Sequence, residues 1–238
     1  MLFLQAKDSG QLDSLQALIA RCAPLHGAVH ARTGSTGVTA LMRAVERGQR
    51  EDNLACVELL IDRGAAVNMQ DDAGETVLMI AARHGDLPCM QLLIDKGGAD
   101  VNLTRLDGYT ALMIAAEGGF EDCVKLLLDR GVNVAARNRV GRTALFCCVH
   151  NGQAGCLKLL LDRGALPGDD VNERDSSGIT ALMDAANGNH IECLKELVRY
   201  RSKRRNLLYK QGTPSSSMHS SNGGKSTPPK PIKLTKKQ

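Results

Sequence analysis

The 238-residue chain has no Trp, three Tyr and three Phe, so aromatics make up only 3% of it. A core without large rings must be built from Leu, Ile, Val, Ala, Met and Cys, which suits thin helices packed close together. No apolar run reaches the roughly 18 residues that a membrane span needs. The opening Met1-Leu2-Phe3-Leu4 is too short for a signal-peptide core before Lys7 and Asp8. The expectation is a cytoplasmic or nuclear protein without a membrane span. Acidic residues are absent after Glu196, where 11 of the 30 basic residues lie. The first 196 residues therefore carry 19 basic against 26 acidic residues, a net charge of −7, although the whole chain is +4. An acidic body with a basic tail calls for different partners at its two ends. Nucleic acid is disfavoured as the main ligand, because the body is acidic and the tail lacks interleaved aromatics.

What is present is repetition. Gly-x-Thr-x-Leu begins at Gly37, Gly74, Gly108, Gly141 and Gly178, at intervals of 37, 34, 33 and 37 residues. A self-similar period of that size means stacked supersecondary units, each too small to bury a core alone. The copy at residues 105–137 shows the local logic. Asp107-Gly108 signals a turn, and Thr110 is placed to cap a helix with its hydroxyl. Leu112, Ile114, Ala115 and Ala116 build a short helix of small residues, and Gly118-Gly119 stops it. Cys123, Val124, Leu126 and Leu127 recur at helical spacing on a second helix. Arg130-Gly131 closes that one, with a cation at the negative end of its dipole.

Eight cysteines could suggest a disulfide framework, but no two have Cys-x-x-Cys spacing. Cys56, Cys89, Cys123, Cys156 and Cys193 instead recur in one register, which marks small core hydrophobes. Packing is likewise the reading for the vicinal Cys147-Cys148, with a redox role second.

These copies resemble the ankyrin repeat, whose pattern runs Gly-x-Thr-Pro-Leu-His, Gly-His, Leu-Leu-Leu and Gly-Ala-Asp-Val-Asn. Pro and His give way to Ala-Leu-Met after Thr39, Thr110 and Thr180, to Val77-Leu78-Met79, and to Ala144-Leu145-Phe146. The Met fills apolarly a place where the family has a hydrogen-bonding His. Asp-Val-Asn survives at Asp100-Val101-Asn102 and Asp170-Val171-Asn172, and Val67-Asn68 is a partial match. His190 follows Asn189 where the family has Gly-His, so a structural hydrogen bond is its expected role. The resemblance implies an all-α solenoid of helix–turn–helix units with short β-hairpin-like loops. A divergent capping unit would occupy residues 1–34. Repeats 1 to 5 would occupy 35–70, 71–104, 105–137, 138–174 and 175–208, and a disordered basic tail 209–238. In the degenerate first unit, Phe3-Leu4-Gln5-Ala6 aligns with Leu78-Met79-Ile80-Ala81 and Gly10 with Gly85. Insertions at 49–53, at Gly97-Gly98 and at 166–169 map to loops, where extra residues cost little entropy.

No catalytic constellation is found. Gly224-Lys225-Ser226 imitates the end of a phosphate-binding loop, but His219 stands where its first Gly belongs. His26, His30, His84, His150 and His190 do not share a helix face with a Cys or carboxylate at ligand spacing. Asp184 and Glu117 read as single acids without a partner base. The expectation is a monomeric, non-catalytic scaffold or adaptor that needs no cofactor or metal and binds another protein. The alternative is a regulatory module related to the ankyrin part of a larger signalling protein such as a kinase.

By the resemblance, contacts would lie on the concave surface, where residues differ between copies. In repeat 2 these are Asp72, Ala73, Glu75, Arg83 and His84, and in repeat 3 Leu106, Asp107, Tyr109 and Glu117. Repeat 4 supplies Arg139, Val140, Arg142, His150 and Asn151, and repeat 5 Ser176, Ser177, Ile179 and Asn187. Leu106, Tyr109, Val140 and Ile179 are apolar groups expected to be exposed, and Tyr and Arg are enriched at interface hot spots. The cluster Arg199, Arg201, Lys203, Arg204 and Arg205 has three readings: the outer face of a capping helix, a nuclear import signal, or an anionic-surface contact. Thr213-Pro214 and Thr227-Pro228 are candidate phosphorylation sites, and Pro228-Pro229-Lys230-Pro231 a polyproline-II ligand.

Overall fold

The computed structural model describes residues 32–33, 36–46, 51–164 and 173–211. The degenerate N-terminal unit, the insertion at 166–169, Asp170-Val171-Asn172 and the motifs beyond residue 211 lie outside the described residues. The packing below belongs to the compact unit that ends at Ser202; of the following unit only a helical stretch to Gln211 is described.

Strands β1 (Arg32–Thr33) and β2 (Val38–Thr39) form an antiparallel hairpin with Arg32 opposite Thr39. Single bridges at Gln70–Thr76, Thr104–Thr110 and Arg174–Thr180 mark the same hairpin in later repeats. Each hairpin leads into a helical pair. The pairs are α1 (Ala40–Glu46) with α2 (Glu51–Asp62), α3 (Val77–His84) with α4 (Leu87–Asp95), and α5 (Ala111–Gly118) with α6 (Glu121–Asp129). They continue with α7 (Ala144–His150) and α8 (Ala154–Asp162), then α9 (Ala181–Asn187) and α10 (Ile191–Gln211). The first helices α1, α3, α5, α7 and α9 contact in sequence to make one layer, and α2, α4, α6 and α8 make a second. This is the expected all-α solenoid.

Local chemistry sets the helix ends. The hydroxyls of Thr39, Thr76, Thr110 and Thr180 accept the amides of Met42, Met79, Met113 and Met183 at 3.2–3.3 Å. Thr143 makes no such bond, and its repeat carries Phe146 in place of Met. Gly85 and Gly119 end α3 and α5 in the left-handed region. Asn189 fills that role after α9 with φ 54°, the one non-glycine residue with positive φ among those described. Gly108 (φ +82°) is required twice over, since a Cβ there would stand 2.8 Å from Cα of Asn138 in the next hairpin.

The core runs unbroken along the stack. Met42, Met79, Met113 and Phe146 are buried between successive first helices, each contributing about 1.5–3 kcal/mol. Met183, at the same register in repeat 5, is 49% exposed, so the apolar filling expected at this register is not met there. Cys89, Cys123, Cys147, Cys148, Cys156 and Cys193 are buried, Cys56 is half-buried, and no disulfide joins them. Burial pushes the Cys89 and Cys147 thiols up to about 12.

Polar ladders tie neighbouring repeats. Lys96 reaches Asp62 at 2.7 Å, Arg130 reaches Asp95, and Arg163 reaches Asp129 at 2.7 Å. Arg130 stands at the C-cap of α6, as expected, and its guanidinium also crosses to the preceding repeat, a surface pair worth about 0.2–1 kcal/mol. The Asn68 carboxamide accepts the Asp100 amide at 2.8 Å, and Asn102 accepts that of Asn133 at 2.7 Å. The Val-Asn remnants are thus connectors between repeats. The insertion at 49–53 does more than lengthen a turn: α2 starts at Glu51 and runs 12 residues, against nine in α4, α6 and α8. Helix α10 continues through Gln211, past the expected tail boundary at 208, with Arg199, Arg201 and Lys203 exposed.

Candidate partner-binding site

The hairpins stack through one backbone bond per step. Asp72 donates to the Thr36 carbonyl, Leu106 to Ala73, Arg139 to Asp107 and Ser176 to Val140, at 2.9–3.1 Å. Within a hairpin, one side chain holds the turn. Asp71 Oδ1 accepts the amides of Ala73 and Glu75, Asn138 those of Val140 and Arg142, and Asp175 those of Ser177 and Ile179. This is the self-capping turn for which Asp and Asn are suited.

Repeat 3 breaks that register, because Arg105 occupies the position of Asp71, Asn138 and Asp175. Asp107 takes over part of the task by accepting the Tyr109 amide at 3.1 Å. The released Arg105 guanidinium lies over the Tyr109 ring at 5.6 Å, donates to Asp107 at 2.5 Å and stands 3.8 Å from Glu75 of the previous repeat. Around it opens a recess of about 450 Å³ lined by Arg83, Arg105, Asp107, Tyr109, Ile114, Glu117 and Gly118. Four of these, Arg83, Asp107, Tyr109 and Glu117, are residues the sequence singles out. Arg105 and Ile114 were missed. The signal for Arg105 was present as a break in the Asp/Asn register.

Glu75 corrects an expectation. As a contact residue of the concave surface it should be accessible, yet it is 9% exposed, beneath Arg83 and Arg105. Its Oε2 accepts from Arg83 at 3.2 Å, while its buried Oε1 has no hydrogen-bond partner. Burial raises the Glu75 carboxyl above its ordinary value, against the opposing pull of the two arginines. Tyr109 is half-buried rather than exposed, and burial raises its hydroxyl too, helped by nearby Cys147 and Glu117.

The other expected positions divide clearly. Leu106 (61%) and Val140 are exposed, as are Ala73, His84, Arg139, Asn151, Ser176, Ser177 and Asn187, whereas Ile179 is half-buried. Asp72 is exposed and paired with Arg32 at 2.7 Å. The Asn151 amide donates to the Cys147 carbonyl at 3.1 Å, within its own helix end. Repeats 4 and 5 direct their polar groups at each other. Arg142 Nε donates to the buried Asp175 at 3.2 Å, and His150 Nδ1 lies 3.1 Å from Asp184 Oδ2. Asp184, read from the sequence as lacking a partner base, therefore has one across the repeat boundary. The residues before α8 and α10 add a further tie. Gln153 Nε2 donates to the Glu117 carbonyl at 3.4 Å, and His190 Nε2 lies 3.1 Å from that of His150. His190 is structural, as expected. Among the described residues no group of three or more His, Cys, Asp or Glu side chains gathers at ligating distance, and no helix is long and apolar enough to cross a membrane.

Sequence comparisons agree with this architecture. The model of the family described as ankyrin repeats (3 copies) matches residues 2–105, 42–138 and 97–169, and that described as ankyrin repeat matches residues 177–208. The chain belongs to the ankyrin-repeat family. Among curated relatives, ankyrin repeat domain-containing protein 63 of Homo sapiens is 33% identical over 103 residues, 40% of this chain and 24% of that protein. Ankyrin repeat domain-containing protein 29 of Danio rerio is 41% identical over 68 residues, 28% of this chain and 22% of that protein. The chain thus matches about a quarter of the length of these relatives.

Proposed function

We propose that this chain is a non-catalytic protein-binding module whose partner sits on the hairpin face, centred on the recess between repeats 2 and 3. Ankyrin repeats are generally protein-interaction modules, and the finer assignment rests on one observation. At Arg105 a turn-holding Asp or Asn is replaced by a residue whose side chain accepts no turn amide, pairs with Asp107 and lines an open recess. A face ordered before association avoids the entropy of ordering loops on binding. Exposed Arg199, Arg201 and Lys203 on α10 support the outer-face reading of the basic cluster, and a cytoplasmic or nuclear location fits a chain of this composition.

The test is affinity capture with Tyr109→Ala combined with Arg83→Glu, beside Lys125→Ala on the exposed surface of α6. The double variant should lose specific partners by tenfold or more in yield while Lys125→Ala retains them. Retention of every specific partner by the double variant would sink the assignment.

A further inference from the structure

The charges of the recess are unequally engaged. Arg105 is held by Asp107 at 2.5 Å, with Glu75 at 3.8 Å on its other side, and Arg83 is held by Glu75 at 3.2 Å. Glu117 is exposed at the end of α5, and no cation pairs with it among the described residues. Behind the wall, the Glu75 Oε1 atom is buried without a hydrogen bond, 3.8 Å from Arg105. Counting Glu75, the group holds three carboxylates against two guanidiniums, an excess of one negative charge. An anion entering the recess would have to displace Asp107 from Arg105 or Glu75 from Arg83. A cation would meet an available carboxylate.

The walls suit a cation on a long apolar stem. Ile114 and Tyr109 are the apolar side chains among the lining residues of the recess. Gly118 leaves the rim without a side chain at the register where His84 and Asn151 stand in the flanking repeats. Gly118 is itself fixed by Phe120, because a Cβ there would lie 2.3 Å from the ring.

From this we infer that the recess receives a lysine or arginine side chain of the partner protein, its stem against Tyr109 and Ile114 and its charge on Glu117. This rests on the reading of the hairpin face as the partner surface and specifies the chemistry of that partner. Nothing covalent is involved. The contact is a partly desolvated ion pair with apolar support, so it should weaken as salt rises.

The experiment is an NMR titration of the 15N-labelled full chain with Nα-acetyl-arginine amide and Nα-acetyl-lysine amide. Nα-acetyl-norleucine amide serves as the uncharged isostere and Nα-acetyl-glutamate amide as the anion. Saturable shifts of the Tyr109, Glu117 and Gly118 amides with the two cationic probes, weakened about fivefold by Glu117→Gln, are the expected result. Equal shifts with norleucine amide, shifts with the glutamate probe, no localised shift, or indifference to Glu117→Gln would each overturn the inference. Its failure is distinguishable from failure of the broader reading. If the capture variants lose their partners while the cationic probes cause no shift, the surface stands and the cation chemistry falls. If the probes shift these amides but capture is unaffected, the recess takes a cation and the partner surface lies elsewhere.

Discussion

The guanidinium carbon of Arg105 stands 5.6 Å from the centroid of the Tyr109 ring, within a single hairpin. That pair exists because repeat 3 has given up the Asp or Asn that holds the turns of repeats 2, 4 and 5. Arg105→Asn should add a bond from the Asp107 amide, at about 1 kcal/mol, and share the Tyr109 amide that Asp107 already accepts. It would lose a cation–π contact of about 0.5–1 kcal/mol and one cation near Glu75. Stability should therefore stay within about 1 kcal/mol of the parent in denaturant melts, while capture of specific partners drops. A loss above about 3 kcal/mol would mean that Arg105 is framework.

Glu75 makes stability depend on pH in an unusual direction for an acid. Burial raises its folded-state pKa above the ordinary 4.5, so the folded state holds the proton more tightly than the unfolded one. Stability from this group is present below the unfolded pKa and is lost as pH rises through the raised folded value. Glu75→Gln removes that dependence. The stability of the variant relative to the parent should be higher at about pH 7 than at about pH 4, whatever its absolute change from losing Arg83. Urea melts at the two pH values read this, and a difference that moves the other way would refute the buried, raised carboxyl.

His190 and Gln153 perform the same task with different side chains, each donating to the last-turn carbonyl of the preceding repeat. His190→Ala should cost about 1–2 kcal/mol by leaving the His150 carbonyl without this donor. His190→Gln should recover most of that. The imidazole must carry its proton on Nε2 to donate, so amide-exchange protection at the repeat 4–5 boundary is the second readout. If the alanine and glutamine variants are equally unstable, the bond is not what the ring supplies.

Met113 and Met183 occupy one register with opposite surroundings, 1% against 49% exposed. Met113→Ala should cost about 2–5 kcal/mol, as buried truncations do, and Met183→Ala less than about 1 kcal/mol. Thermal unfolding of the two variants checks this. Equal costs would show that Met183 is covered in solution.

The recurring framework was legible in advance because it obeys local rules. Thr76, Thr110 and Thr180 cap helices through their own hydroxyls, and Gly85 and Gly119 end them by taking φ values closed to other residues at low cost. The five registered copies made both readable. The cysteine register was legible for the same reason, since a position repeated on an apolar face must be core. The recess was only half legible. Arg83, Asp107, Tyr109 and Glu117 stood out as variable, but Arg105 hid inside a turn position and Ile114 inside a helical core pattern.

By itself, then, the sequence determined the period, the helix ends, the small-residue interior and the ankyrin architecture, all set by residues within one repeat. Only the tertiary structure decided which side chains of different repeats meet. It buried Glu75 under Arg83 and Arg105, joined His150 to Asp184 across 34 residues, and left Met183 uncovered. The physical reason is that each of those outcomes depends on what the neighbouring repeat places against a position, and a periodic pattern carries no record of that until the repeats are stacked.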